Sequence, residues 1–359
     1  MFSQVLQIVS SIEMDDGVSN AIRDYAKVLD SYRVNNKIIT LYRAEDIGVS
    51  EKKYAHSSLI NEYVTPDTLV IFHYAMPTIL SSVVSNLTCP KVLLYCNMTP
   101  PVFFNKYDTG LQAELSYGYR QIIALASHFP YSWGSSAYNC SQLREAGFLR
   151  TAVANPPYDF DRLANIVPDN RIEKRPGVKN ILFVGRLSPN KRQEDVIKAF
   201  YYYHKLNPRS ELNLVGRAQF QNYRDDLLKL ASDYGLPVKI TEKVSMEALV
   251  AYYKNADLFL CMSEHEGFCL PIIEAMYFGV PVVAFDSSAI PETVGDAGIV
   301  FNHKNFPYVA QLMHLVLENE ELQEGMRTIG SKRAKYFSME YSAARFMTLI
   351  ESYAAELNL

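Results

Sequence analysis

At 359 residues, with 48% hydrophobic, 21% charged and 12% aromatic content, the chain is too long for one ordinary core and too apolar for disorder, so two folded domains are expected. Thirteen basic residues face 16 acidic ones through residue 170 and 22 face 23 after it, so neither half has the basic excess of a nucleic-acid binder. Five cysteines, an odd number without a C-x-x-C pair, argue against both a disulfide framework and a zinc ribbon and fit a reducing cytoplasm.

The amino-terminal MFSQVLQIVSSIEMDD has no basic leading region and meets acids within a few residues, so it reads as a first buried strand and not as a signal peptide. A helix from about Ser19 to Leu29 follows, then the apolar runs NKIITLY, TLVIFHY and KVLLYC. Continuous apolar strands joined by helices predict a parallel sheet covered on both faces. The longest apolar run, TLVIFHYAMPTIL, contains His73 and Pro77 and falls short of the roughly 18 residues that a membrane span needs, so only contact with a membrane surface stays open. Helices are expected from about Asp108 to Ala126 and in SSAYNCSQLREAGF, which stops at Gly147.

From Asn155 to Asn180 the texture changes to proline and charge, as in a linker. The alternation then resumes with NILFVG, a helix from about Lys191 to Lys205, ELNLVG, a helix through DDLLKLASDYG, VKIT, a helix after Ser245, ADLFLCM, a helix after Pro271 and VPVVAF. The stretch from about Phe306 to Leu359 is helical throughout and longer than the second sheet needs. The expected organisation is α/β: a doubly wound domain over residues 1–170, a second over 171–337, and a final helix, about 338–359, crossing back to the first, with ligands bound in a cleft at the carboxyl ends of the two facing sheets.

The most informative stretch is SEHEGFCLPIIEAMYFGVPVVAF, residues 263–285. A strand ends, a loop follows, and Pro271 suits the first position of a helix that Gly279 terminates. The N–H groups of Gly267, Phe268, Cys269 and Leu270 then cluster at a helix amino terminus, which favours an anion such as a phosphate. Glu274, one turn inside, lies about 5 Å along the axis and can accept hydrogen bonds from ribose hydroxyls. Glu266, before the helix, lies on the other side of the phosphate position. Earlier in the chain, Arg186 leaves the carboxyl end of a buried strand after Gly185 and Lys191 starts a helix, so two cations meet at one sheet edge as a pyrophosphate clamp.

EGFCLPIIE resembles the E-x7-E signature of retaining GT-B glycosyltransferases of family GT4, and FVGRLSPNKRQEDVIKAF resembles that family's G-R-x-x-x-x-K element. LVGRA with Gly216, TEKVSMEALVAYYKNADLFLCMSEHEGF and AIPETVGDAGIVF extend the resemblance over nearly all of the second domain. It implies a metal-independent retaining transfer of a hexose from a nucleotide diphosphate sugar, mannose from GDP-mannose favoured over a UDP-hexose, to a lipid-linked or surface-polysaccharide saccharide. It also implies that Arg186, Lys191 and Glu266 act in transfer, that Gly185, Gly216, Gly267, Phe268, Cys269, Leu270 and Glu274 hold the donor, that the stretch around Val244 touches the base, and that no cofactor or metal is required. The protein is then cytoplasmic, with peripheral contact at the inner membrane face as an option. A GT-B-shaped epimerase or phosphorylase and a noncatalytic partner subunit are the alternatives.

In the first domain, Gly17 in MDDGVSN resembles the family's glycine loop near the diphosphate, although Asp16-Gly17 stands where many members have two glycines. LLYCNMTPP resembles a Y-H-N-x-T-P segment of a polysaccharide-making branch, with Cys96 in place of its histidine. Asp159 and Asp161, as D-F-D, resemble a D-x-D metal site but sit in the proline-rich stretch, which argues against that role.

Overall fold

The computed structural model describes residues 2–13, 16–42 and 53–358. Two compact units emerge: one of Met1–Pro101, Gly110–Asp159 and Phe337–Leu359, the other of Val102–Thr109 and Phe160–Tyr336.

The first unit is built on a parallel sheet of β1 (Gln4–Ile8), β2 (Asn36–Thr40), β3 (Tyr54–His56), β4 (Thr68–Tyr74), β5 (Lys91–Tyr95), β6 (Tyr131–Gly134) and β7 (Thr151–Val153) in the order β3-β2-β1-β4-β5-β6-β7. The central strands read as unbroken apolar runs because both faces are covered; every residue of β4 is buried. The order reverses between β1 and β4, the switch point at which doubly wound sheets bind ligands. The first helix, Gly17–Ser31, begins just after β1, with the Asp16 side chain accepting from the Ser19 amide as its cap. The last helix, Met339–Glu356, belongs to this unit: Phe346 packs 4.5 Å from Tyr25 and 5.9 Å from Trp133, ring to ring, and Ile350 and Tyr353 are buried beside them.

At the carboxyl end of β4, burial pushes His73 down to about 3. Its Nε2 lies 2.9 Å from the Gln7 Oε1. Because the Gln7 amide nitrogen donates to the Ile22 carbonyl, Oε1 must accept, so His73 carries its proton on Nε2 and leaves Nδ1 as an acceptor 3.9 Å from the Cys96 sulfur, whose one proton the Leu94 carbonyl also faces at 3.6 Å. Cys96 thus takes a donor's place, and burial, with Asp16 adding to it, pushes its thiol up to about 12. A histidine free in the unfolded chain titrates near 6.5, so between about pH 6.5 and 3 the unfolded chain binds the extra proton and stability is lost as the pH falls, at about 1.4 kcal/mol per unit. Urea unfolding of the first unit at pH 6 and pH 5 is expected to show this slope in the wild type and to lose it in His73→Gln; equal slopes would contradict a buried neutral imidazole.

The second unit repeats the plan with β8 (Lys179–Val184), β9 (Ser210–Val215), β10 (Val238–Ile240), β11 (Leu258–Cys261), β12 (Val282–Phe285) and β13 (Gly298–Phe301), all parallel, in the order β10-β9-β8-β11-β12-β13. Its core gathers Phe183, Phe200, Tyr203, Leu260 and Met313.

Two stretches pack differently from the expected boundaries. Residues 160–170 join the second unit, and so does Asn155–Asn180 beyond Asp159: the Asp169 amide donates to the Glu247 carbonyl, the Asn255 side chain to the Ile172 carbonyl, and Lys174 pairs with Asp257 at 2.6 Å. Residues Val102–Thr109 also lie in the second unit, where Phe104 packs on Phe220 and Tyr107 meets the Tyr223 ring edge-on at 5.2 Å. Three aromatics in PVFFNKYDT explain the docking, since each buries a large apolar area.

Candidate functional site

The second sheet reverses its order between β8 and β11, which pair directly through Leu258 with Ile181 and Phe259 with Leu182. The loops that leave their carboxyl ends, residues 185–192 and 262–269, therefore emerge side by side at a switch point, the place where such sheets bind ligands. Backbone and amide bonds lock them: the Glu264 amide donates to the Asn190 carbonyl at 2.9 Å, the Asn190 side chain donates to the His265 carbonyl at 3.0 Å, and Ser188 orients that side chain through its Oδ1 at 2.8 Å.

Out of this locked pair of loops comes a buried ion pair, Lys191 Nζ to Glu266 Oε2, whose side chains are only 18% and 8% exposed. Glu266 is fixed at its backbone too, its amide donating to the Ser288 hydroxyl at 2.8 Å. Burial works to raise Glu264, but hydrogen bonds from Arg192 and Lys304 outweigh it and hold the carboxylate below its usual range. Lys304 also reaches Asp195 at 2.8 Å, so the chain Arg192–Glu264–Lys304–Asp195 braces the base of both loops. Sequence reasoning missed this bracing network because its partners are far apart in the chain, Asp195 and Lys304 by 109 residues.

Lys191 does not open the long helix as expected. It ends a short 3-10 turn, Pro189–Lys191, and Arg192, at φ 52°, separates that turn from the helix Gln193–Leu206. Arg186 is exposed, just past Gly185, and its carbonyl accepts from the Gln193 side chain at 2.8 Å. Gly216, after β9, has φ 151°, and a Cβ there would stand 2.1 Å from the Gly185 carbonyl oxygen, so only glycine lets the β8 and β9 loops approach this closely.

The helix after β11 spans Leu270–Tyr277, with Cys269 as its N-cap in a left-handed conformation at φ 70°. Pro271 is consequently its second residue and not its first. Among the described residues the N–H groups of Gly267, Cys269 and Leu270 donate to no acceptor, as the first amides of a helix must unless a ligand or solvent takes them. Phe268 is buried beside them. Glu274, one turn in, is half-buried and accepts a 2.6 Å hydrogen bond from the Tyr253 hydroxyl, a partner that spacing alone did not reveal. Lys191, Glu266, the helix terminus and Glu274 thus stand at one sheet edge. Val244 lies in the loop before the helix Met246–Asn255 that carries Tyr253, half-buried and flanked by the exposed Glu242 and Lys243.

Gly17 opens the first helix of the other unit and is exposed there. Asp159 is engaged by Lys27 of that same helix. Tyr107 packs on Phe220 and Tyr223, and the Tyr119 hydroxyl donates to the Met98 carbonyl at 2.7 Å.

Residues 169–333 match the family described as glycosyl transferases group 1. Among curated proteins the chain is similar to O-antigen chain mannosyltransferase B of Escherichia coli, 30% identical over 44% of this chain and 42% of that one. It is also similar to D-inositol 3-phosphate glycosyltransferase of Nocardia farcinica, 29% identical over 67% of this chain and 55% of that one. The chain thus spans about half the length of the curated relatives it matches. Among solved structures, Anabaena HepE in complex with UDP and glucose superposes with a TM-score of 0.75 at 18% identity, over 98% of this chain and all of that one. At that identity the likeness concerns the fold. Among the described residues no helix is long and apolar enough to cross a membrane.

Proposed function

We propose that this protein transfers a hexosyl group from a nucleoside diphosphate sugar to a saccharide acceptor with retention of configuration, a reading supported by the match of residues 169–333 to the glycosyl transferases group 1 and by the GT-B fold. The observation that carries this reading is the buried Lys191–Glu266 pair set against the unsatisfied amides of Gly267, Cys269 and Leu270 at the switch point of the second sheet.

An incoming diphosphate competes with Glu266 for the Lys191 ammonium and accepts from the helix amides, while the exposed Arg186 closes on it from solvent. Those donors are fixed before the donor arrives, so they stabilise the negative charge that grows on the diphosphate as the glycosidic bond breaks. The leaving phosphate oxygen, on the same face as the acceptor, takes the acceptor hydroxyl proton, and the new bond forms on that face. Glu266, released from Lys191, turns to the hydroxyls of the transferred sugar. Glu274, held by Tyr253, receives the ribose, and the loop at Val244 faces the base.

Mannose from GDP-mannose is the favoured donor and a lipid-linked or surface-polysaccharide saccharide the favoured acceptor, a choice supported by the similarity to the O-antigen chain mannosyltransferase; the UDP of the HepE complex keeps UDP-hexoses in the test. The protein works in the cytoplasm, at the inner membrane face when its acceptor is lipid-linked. Purified protein incubated with GDP-mannose or UDP-glucose, without acceptor, is expected to release the nucleoside diphosphate slowly from one of them, read by mass spectrometry. Binding of neither nucleotide would overturn the reading. Since protein cations and helix amides meet the diphosphate charge, EDTA is expected to leave that rate unchanged; a rate abolished by EDTA and restored by manganese would establish a metal-dependent donor site instead.

A further inference from the structure

The donor loop holds two thiol side chains that the transfer reaction does not use, beside the Glu266 carboxylate that it does. Cys261, the last residue of β11, is fully buried, and Cys269, the N-cap of the following helix, is 8% exposed. The two sulfurs lie within 4.8 Å of each other, and the Cys261 thiol donates to the Ser263 hydroxyl at 3.5 Å. One carboxylate oxygen of Glu266 joins them so that all three ligand atoms lie within 4.8 Å of one another. Among the described residues this is the one group of three metal-ligating side chains gathered so closely. No sequence spacing announces it, because the sulfurs are brought together by the left-handed turn at Cys269 that folds the helix start back onto the end of β11.

Two thiols and a carboxylate, set in a buried pocket, match the ligand preferences of zinc and not those of magnesium or calcium, which take oxygen alone. Zinc–sulfur bonds of about 2.3 Å place two coordinating sulfurs about 3.8 Å apart, so the three groups need close in by only about 1 Å. Three protein ligands leave a fourth position for water.

We propose that Cys261, Cys269 and Glu266 form an inhibitory site for a thiophilic divalent cation of the zinc class. Binding exchanges two protons for one cation: both thiols release theirs to solvent, and the thiolates and the Glu266 carboxylate take the metal. Glu266 leaves Lys191 as it does so, and the metal then occupies the foot of the helix whose amides face the donor phosphate. The inhibitory consequence rests on the donor-site reading given above; the binding of metal does not.

The test uses the full chain, reduced and freed of metal, titrated with cobalt(II) as the spectroscopic probe and with zinc as competitor. One equivalent of cobalt is expected to produce a thiolate-to-cobalt charge-transfer band in the near ultraviolet that zinc abolishes. Cys261→Ser and Cys269→Ser lose the band, while Cys140→Ser, altered at a buried thiol outside the group, keeps it. In parallel, stoichiometric zinc is expected to remove most of the donor turnover of the wild type, EDTA to restore it, and Cys261→Ser to turn over normally with or without zinc. A wild type without the cobalt band, or a band that survives in both serine variants, overturns the metal site. A band that behaves as stated, in a protein that binds no nucleoside diphosphate sugar, leaves the metal site standing and overturns the donor-site reading.

Discussion

Lys191→Ala is expected to lower kcat/KM by about a hundredfold or more, which corresponds to about 2.7 kcal/mol of transition-state stabilisation. The ammonium is held in a mostly buried position against Glu266, so in the wild type it is already desolvated and aimed when the donor binds. A charge-assisted bond to a leaving group gains strength as negative charge develops there, and for this reason the loss should fall on kcat more than on KM. The same substitution strands Glu266 as a buried charge without its partner, which by itself destabilises a fold by roughly 3–5 kcal/mol. Lys191→Ala with Glu266→Gln removes that burden, and a thermal unfolding curve identifies which variant remains folded. Arg186→Ala, altered on an exposed side chain, should keep wild-type stability and lose turnover to a similar degree. Turnover near wild type in either single variant would remove that cation from the diphosphate clamp.

The fold was largely readable because its central strands are covered on both faces. ILFV, LFLC and PVVAF are continuous apolar runs, and β8, β11 and β12 lie on them, while Leu212, Leu214 and Val215 mark β9. The strands that escaped notice are short and mixed in composition: Tyr54–His56 and Thr151–Val153, three residues each at the two edges of the first sheet, and Tyr131–Gly134, which ends in glycine. Edge strands satisfy half of their backbone groups outside the sheet and need no alternating or continuous pattern. Val102–Thr109 was legible in composition, through Phe103, Phe104 and Tyr107, but its destination was not, since the pocket formed by Phe220 and Tyr223 lies more than a hundred residues on.

The candidate site divides in the same way. A proline near a helix start and a strand ahead of it were enough to locate the amides of residues 267–270, because capping is a local property of the chain. The exact start was not recoverable: Cys269 adopts φ 70°, a conformation that favours glycine, so nothing in its identity marks it as the cap or moves Pro271 to the second position. Lys191 against Glu266 and Tyr253 against Glu274 span 75 and 21 residues, and only the pairing of β8 with β11 and the packing of helices on that sheet bring such partners together.

Those two partners separate the roles of the two glutamates, and the separation is measurable. Glu274 is held by the Tyr253 hydroxyl one turn into the helix, so its carboxylate is pre-aimed and Glu274→Ala should weaken binding of the free nucleoside diphosphate by roughly 1.5–3 kcal/mol, the worth of hydrogen bonds to a charged group. Tyr253→Phe should lose a smaller part of the same affinity, because it frees the carboxylate without removing it. Glu266 behaves in the opposite sense. In the resting protein it neutralises Lys191, the cation that a diphosphate needs, so Glu266→Ala should bind the nucleoside diphosphate no more weakly than the wild type while transfer collapses. The bond it makes to the departing sugar exists only when that sugar is present and strengthens in the transition state. Calorimetric titration of the three variants with GDP and UDP measures the difference: an affinity loss in Glu266→Ala as large as that in Glu274→Ala would mean that both carboxylates serve the nucleotide, and that Lys191 is not released when the donor binds.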